Sequence, residues 1–403
     1  MAIPSYSPLR SDSSGELFSF PPVDLPTKPL TFDLDSYRDK SYLTHNFHPF
    51  PAKFVPQIPA ELIHRFTQRG ETILDPFCGS GTALVEGVIA GRSAVGLDIN
   101  PIACLVSRTK TAVLTHDERD HVRRSIRQAE SLLREMLIGN TERLKSFSVP
   151  EFHNRNHWFQ HHVQEELAAI LSIVSAHPKG RVRDFLSTAF SAIIVKVSNQ
   201  ESDTRWVAVP KSVAPGDTLS AFATKGREML ERILDLADLQ PASAQIINQS
   251  VSEPFPLAEN SVDLVVTSPP YVNSFDYYLY HKLRMFWLGY DHYHVQSREL
   301  GSRNRHCDNQ EGLETYTAGI AAFLREATRC LKPRKVLSVV IGDAVFRNSV
   351  IDMKRTYSEL AQTVGLRLFD SFSFDQRKYT TAFARNYKRH PKRTHVLCFR
   401  ARG

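Results

Sequence analysis

Residues 71–98 read ETILDPFCGSGTALVEGVIAGRSAVGLD, and this stretch decides the fold. An apolar run ends at Asp75. A glycine turn, Gly79-Ser80-Gly81, follows, then a helical pattern, then a second apolar run that ends at Asp98. Strand, glycine turn, helix, strand is a βαβ unit of a parallel sheet. Glycines at such a turn let the backbone approach a ligand, and the helix N-terminus adds free N–H donors. Asp98 stands seventeen residues after Gly81, at the tip of the second strand, where a carboxylate can accept from two ribose hydroxyls. Leu84 occupies the place of the third glycine of a dinucleotide fingerprint. A dinucleotide is therefore disfavoured, and a nucleoside with an amino-acid tail fits better.

A second stretch belongs to the same crevice. The apolar run Val262–Val266 leads into Thr267-Ser268-Pro269-Pro270-Tyr271. Two prolines at the end of a strand fix a rigid turn. Open α/β sheets bind ligands beyond the carboxyl ends of their strands, so Ser268 and Tyr271 are expected to face the crevice of Gly79 and Asp98. Later strands are expected at 335–343, 366–374 and 394–400, with helices at about 313–331 and 352–363. The last two strands have no helix between them and are expected to form an antiparallel hairpin.

Three regions result. Residues 1–40 are rich in Pro and Ser and read as an extended arm. Residues 41–110 and 240–403 carry the α/β pattern. Between them, residues 111–239 show helical spacing and read as a mostly helical insertion, a candidate for recognising a partner. It contains HNRNHWFQHH, whose spacing matches no common metal-ligand pattern.

Composition narrows the class. The chain has 403 residues, 42% of them hydrophobic, and no apolar run near the roughly 18–20 residues that span a bilayer. The N-terminal residues have no basic segment leading into an apolar one, so no signal peptide is expected and the cytoplasm is the expected compartment. Five scattered cysteines, Cys78, Cys104, Cys307, Cys330 and Cys398, include no CxxC pair, which argues against a disulfide framework and a structural zinc site. Net charge is +7, and residues 377–403 hold nine Lys/Arg and no Asp/Glu. Lys378, Arg385, Lys388, Arg389, Lys392 and Arg393 are the candidates for contacts to backbone phosphates.

Together, DPFCGSGT and TSPPY resemble the amino-methyltransferases of DNA, in particular the N4-cytosine branch of the restriction–modification type. His48-Pro49-Phe50-Pro51-Ala52-Lys53-Phe54 resembles the segment that holds the methionine end of the cofactor in this family, and YVNSFDYYLYHKLRMFWLG after TSPPY is also similar. The order, with the glycine motif before the catalytic one, is one of the circular arrangements of a shared fold. The resemblance implies a Rossmann-like S-adenosylmethionine-dependent methyltransferase fold. It implies cofactor contacts from His48, Pro49, Lys53, Asp75, Pro76, Phe77, Cys78, Gly79, Gly81, Thr82, Asp98 and Ile99, and catalysis by Ser268, Pro269, Pro270 and Tyr271. Relatives often carry an acid after the third strand; here Asn248-Gln249-Ser250-Val251-Ser252 contains none.

The implied chemistry is methyl transfer to an exocyclic amine of a base. That amine is a poor nucleophile, because its lone pair is delocalised into the ring. Ser268 Oγ and the Pro269 carbonyl are expected to accept from the NH2 and localise the lone pair, while Tyr271 stacks on the flipped base. A C5-cytosine reaction needs a cysteine nucleophile, usually after a proline, and no cysteine here follows one. In the family, Ser before Pro-Pro-Tyr goes mostly with cytosine, and Asp or Asn with adenine. Double-stranded DNA is the expected partner, alongside a cognate restriction endonuclease. The alternatives are an adenine-N6 enzyme, an RNA base methyltransferase, and a non-catalytic cofactor-binding module on DNA.

Overall fold

The computed structural model describes residues 29–32, 41–272, 276–302, 310–346, 349–375 and 393–401. Seven strands form one sheet: β1 (Thr72–Asp75), β2 (Ser93–Asp98), β3 (Ala244–Asn248), β4 (Val262–Thr267), β5 (Leu331–Gly342), β6 (Leu366–Asp375) and β7 (Arg393–Ala401). Their spatial order is β6-β7-β5-β4-β1-β2-β3. The β1–β2, β2–β3, β1–β4 and β4–β5 pairs are parallel. β7 runs antiparallel to both β5 and β6, so the expected hairpin is present, with its second strand inserted next to β5. This is a Rossmann-like fold, a mostly parallel sheet with an antiparallel terminal hairpin.

Helices cover both faces. They are α1 (Gln57–Phe66), α2 (Thr82–Ile89), α3 (Pro101–Thr111), α4 (His116–Leu137), α5 (His161–Ser175), α6 (Arg181–Val197), α7 (Asp217–Asp238), α8 (Tyr277–Leu288), α9 (His292–Arg298), α10 (Gln310–Cys330) and α11 (Met353–Thr363). The sheet alternates as a two-residue period requires. Ile73, Leu264 and Val266 pack with Ile58, Leu62 and Leu84 of α1 and α2. Leu74, Val265 and Leu337 point the other way, to Ile320, Phe323 and Tyr357 of α10 and α11. β1 and β4, buried on both faces, read as continuous apolar runs for that reason.

Residues 111–239 hold α4 to α7 and a short hairpin of Gln200–Ser202 and Arg205–Ala208. Their core is shared with the α/β part. Phe47, Leu283 and Trp287, all from outside that span, are buried in the same apolar cluster as Phe159, Phe190 and Phe222. Of residues 1–40, the described four pack on the sheet: Leu30 N donates to Asp370 Oδ2 (2.9 Å), and the Phe32 ring lies 5.3 Å from Phe372. No helix among the described residues is long and apolar enough to cross a membrane.

Trp287, 1% exposed on α8, touches Phe152, Phe159 and Phe190 edge-on and so joins α8 to the insertion. Trp287→Ala is expected to lose about 3–5 kcal/mol of unfolding free energy in a denaturant titration. Trp287→Phe is expected to lose less, because it keeps an aromatic body and removes a buried indole N–H that has no acceptor.

Candidate functional site

The two sequence motifs meet at the carboxyl edge of the sheet. A cleft there encloses about 900 Å3 of empty space, its open mouth included. Asp75, Pro76, Phe77, Cys78, Gly79 and Thr82 line it. Asp98 and Ile99, the end of β2, and Ser268 and Pro270, after β4, line it too.

The glycine turn is built as its sequence demands. Gly79 has φ +49°, a left-handed conformation that side chains disfavour. Gly81 has φ +75°, and a Cβ there would lie 2.7 Å from Ser107 Oγ. Asp98 closes the turn: its Oδ2 accepts from Gly79 N (2.9 Å) and its Oδ1 from Asn100 N (2.8 Å). Each oxygen keeps a further lone pair for a ligand hydroxyl. Burial pushes Asp98 up to about 6, against the pull of those two N–H groups. Asp75 is pushed up to about 7, also by burial, although its Oδ1 accepts from Thr267 Oγ1 (2.6 Å). Cys78 packs under the turn, and burial raises its thiol well above the usual range, so it is no nucleophile at neutral pH.

Ser268 is held by its proton. Its Oγ donates to the Val340 carbonyl of the neighbouring β5 (3.0 Å), which leaves the oxygen lone pairs as acceptors. The Pro270 carbonyl accepts from Tyr316 Oη (3.1 Å), fixing the diproline turn. The Tyr271 ring lies outside the cleft lining, against Gly342: a Cβ on that glycine would come within 2.7 Å of the ring.

The segment before α1 divides. Phe50, Pro51, Ala52, Lys53 and Phe54 line the cleft. Burial lowers the Lys53 ammonium, the state in which a carboxylate partner is most favoured. His48 and Pro49 are not brought to the cleft. His48 is 1% exposed; its Nδ1–H donates to the Pro49 carbonyl (2.6 Å) and its Nε2 accepts from Ser191 Oγ (2.9 Å). Burial, then the nearby Arg284 guanidinium, holds it well below the usual imidazole range, so it stays neutral. Pro49 lines a separate groove with Ala192 and Lys196. Asn248 Nδ2 donates to the Asp98 and Ile99 carbonyls, and Gln249 Nε2 to Pro254; neither lines the cleft.

Sequence reasoning missed several lining residues, among them Ser250, Val251, Tyr277, Glu299 and Leu300. Tyr277 opens α8, inside the stretch after TSPPY to which the sequence assigns no role, and Glu299 follows α9, where no motif marks it. Of the basic candidates, Lys378, Arg385, Lys388, Arg389 and Lys392 lie outside the described residues. Arg393 opens β7, and its N donates to Asp343 Oδ2 (3.1 Å).

Comparison with known proteins points the same way. The model of the DNA methylase family matches residues 26–108. Type II methyltransferase M.MvaI of Kocuria varians is 28% identical over 247 residues, which is 58% of this chain and 54% of that protein. Type II methyltransferase M.BsoBI of Geobacillus stearothermophilus is 23% identical, covering 70% of this chain and 59% of that one. The chain therefore spans little more than half the length of these curated relatives. Among solved structures, a SAM-dependent methyltransferase from Methanosarcina mazei is 10% identical with a TM-score of 0.34, covering 84% of this chain and 96% of that one.

Asp98 can accept from ligand hydroxyls best as a carboxylate. Its ionised form is lost as pH falls through about 6. S-adenosylmethionine affinity, measured by calorimetry, is therefore expected to weaken below that pH. Asp98→Asn is expected to bind weakly throughout and to keep only the shallower pH dependence that Asp75 contributes.

Proposed function

We propose that the chain, whose residues 26–108 match the model of the DNA methylase family, is a site-specific DNA methyltransferase acting on the N4 amine of cytosine, with S-adenosylmethionine as methyl donor. The observation that carries this reading is the shared cleft: Ser268, an oriented hydroxyl acceptor, opens onto the same space as Gly79 and Asp98.

The residues present fit the cofactor. Asp98 offers acceptors to the ribose, and Lys53 a cation to the methionine carboxylate. Asp75 and Asp98 give the cleft the acidic lining that a sulfonium and an ammonium favour. When bound, S-adenosylmethionine supplies an electrophilic methyl group on a positively charged sulfur.

The protein's part is to prepare the amine. With its proton committed to the Val340 carbonyl, Ser268 Oγ can only accept, so it takes an amine N–H rather than competing as a donor. The Pro269 carbonyl takes the other N–H. Two acceptors on one side pull the nitrogen toward tetrahedral geometry and turn its lone pair to the opposite side. A neutral hydroxyl suffices for cytosine, and this supports cytosine over adenine. No strong base is required, because the product ammonium can lose its proton late. Tyr271, after the diproline turn, is the proposed stacking partner for a base taken out of the duplex.

Double-stranded DNA is the proposed partner, with a cognate restriction endonuclease in the same system. The insertion, residues 111–239, is the proposed recognition element. Arg284 of α8, 0% exposed at its side chain, pairs with Asp203 in the hairpin turn of that insertion and donates from Nε to the Ser191 carbonyl (3.0 Å). The helix that follows TSPPY is thus fixed to the insertion by charge as well as by Trp287.

Ser268→Ala is expected to lower turnover by about 10²–10³-fold while cofactor binding persists. Mass spectrometry of nucleosides from treated DNA is expected to show N4-methylcytosine. N6-methyladenine would overturn the cytosine assignment alone, and methylation confined to RNA would overturn the DNA reading. Replacing Lys388, Arg389, Lys392 and Arg393 with Ala is expected to weaken DNA binding for all sequences and flatten its salt dependence; an unchanged salt slope would move the phosphate contacts elsewhere.

A further inference from the structure

Glu299 has no role in the chemistry above, yet it sits in the cleft wall and is 5% exposed. It closes α9, its N donating to the Val295 carbonyl (2.9 Å). Its carboxylate accepts from Tyr278 N at the start of α8 (3.3 Å to each oxygen). The residue is therefore anchored on one side by the free N–H groups of a helix N-terminus and turned to the cleft on the other.

The sheet order shows which end of the cleft it occupies. Along the carboxyl edge the strands run β3, β2, β1, β4. Their tips supply, in that order, Ser250 and Val251, then Asp98 and Ile99, then Asp75, then Ser268. Arg298 pairs with Glu253, on the loop just after β3, which pins the Glu299 segment to that end. A nucleoside with its reactive group near Ser268 and its ribose at Asp98 must place its base beyond Asp98, on the β3 side. Ile99 and Val251, after β2 and β3, are apolar side chains there, suited to the faces of a flat ring. Neither Asn248 nor Gln249 lines this end, so the loop after β3 brings no carboxyl to it.

We propose that Glu299 reads the base of the cofactor's adenosine, its carboxylate accepting a hydrogen bond from the exocyclic amine of adenine. This rests on the reading of the cleft as the S-adenosylmethionine site. The amine is the only strong donor on the adenine ring; the ring nitrogens accept, and a carboxylate repels them. A carboxylate carries about four lone-pair sites, so an oxygen that holds Tyr278 N can also take the amine. Burial, with Asp276 and Asp98 nearby, holds the Glu299 carboxyl well above the usual range. An incoming N–H donor stabilises the ionised carboxylate against that burial. Selection against a base that lacks the amine follows, because a site built for a donor rejects a ligand without one.

The test uses the full chain and two ligands, S-adenosylhomocysteine and its analogue in which unsubstituted purine replaces adenine. The second differs in the base alone, carrying hydrogen in place of the amine and so no N–H donor on the ring. Calorimetry on the wild-type protein is expected to give a preference of tenfold or more for the adenosyl compound. Glu299→Gln, whose amide can donate or accept, is expected to reduce that preference to within about threefold. Its ligand-free melting temperature is expected to hold, because the amide oxygen still accepts from Tyr278 N. Should Glu299→Gln not fold, Glu299→Asp, which withdraws the carboxylate by one methylene, is expected to show the same loss of preference. Weaker binding of both ligands by one common factor, with the preference intact, would make Glu299 a helix cap only and overturn the inference. A wild-type protein that binds neither compound would overturn the cofactor reading itself, and the inference with it.

Discussion

The hydrogen bond from Thr267 Oγ1 to Asp75 Oδ1, 2.6 Å long and fully buried, joins the tips of the two central strands. One strand leads into the glycine turn and the other into the diproline turn. The bond therefore fixes the spacing between what can hold a nucleoside and what can hold an amine. Asp75 also accepts from Phe77 N (3.2 Å), so a single carboxylate sets the exit direction of both chains. Its cost is visible in the carboxyl being pushed up to about 7 by burial. A short buried polar link is worth that cost only where geometry must be reproducible, since an apolar pair would be as stable but would not set a direction.

The glycine turn has a second support from below. Lys110, at the end of α3 and 0% exposed, donates from Nζ to the Ser80 carbonyl (2.6 Å). Burial pulls its ammonium down to about 7, partly offset by Glu86 nearby. Glu86 in turn accepts from His45 Nε2 (2.7 Å) and from Tyr42 Oη. The turn is thus held by Asp98 at the Gly79 amide and by Lys110 at the Ser80 carbonyl. Both contacts act on backbone, so they position the turn whatever side chain Ser80 carries.

The β-α-β core and the meeting of the two motifs were legible because both depend on local signals: apolar runs, glycines at a turn, prolines after a strand. Lys110 was not legible. A lysine in the last turn of a helix reads as a surface cation facing the helix dipole, and only the packing of α2 and α3 turns it inward. Glu299 was hidden for a similar reason. It enters the cleft because α8 and α9 fold back over the sheet, an arrangement with no period or spacing to betray it. His48 shows the converse. It neighbours Phe50 and Lys53 in sequence, but the chain turns between them. The imidazole is left against Ser191 and Arg284 while its neighbours reach the cleft.

The insertion and the site are mechanically one object. The residues between Ser268 and Leu288 serve two cores: Tyr278 and Met285 pack with Ile102 and Val106 of α3, while Leu283 and Trp287 enter the apolar cluster of α4 to α7. Arg284, buried between them, needs Asp203 to offset a desolvated guanidinium, so the hairpin of the insertion cannot lift away without exposing or stranding that charge. A surface on the insertion that meets a polyanion would therefore be tied to α8 itself. Close packing makes such a link stiff, because a core at crystal-like density has no slack to absorb a displacement. On the proposed function, the insertion that would read a sequence packs on the helix that follows the diproline turn in the chain.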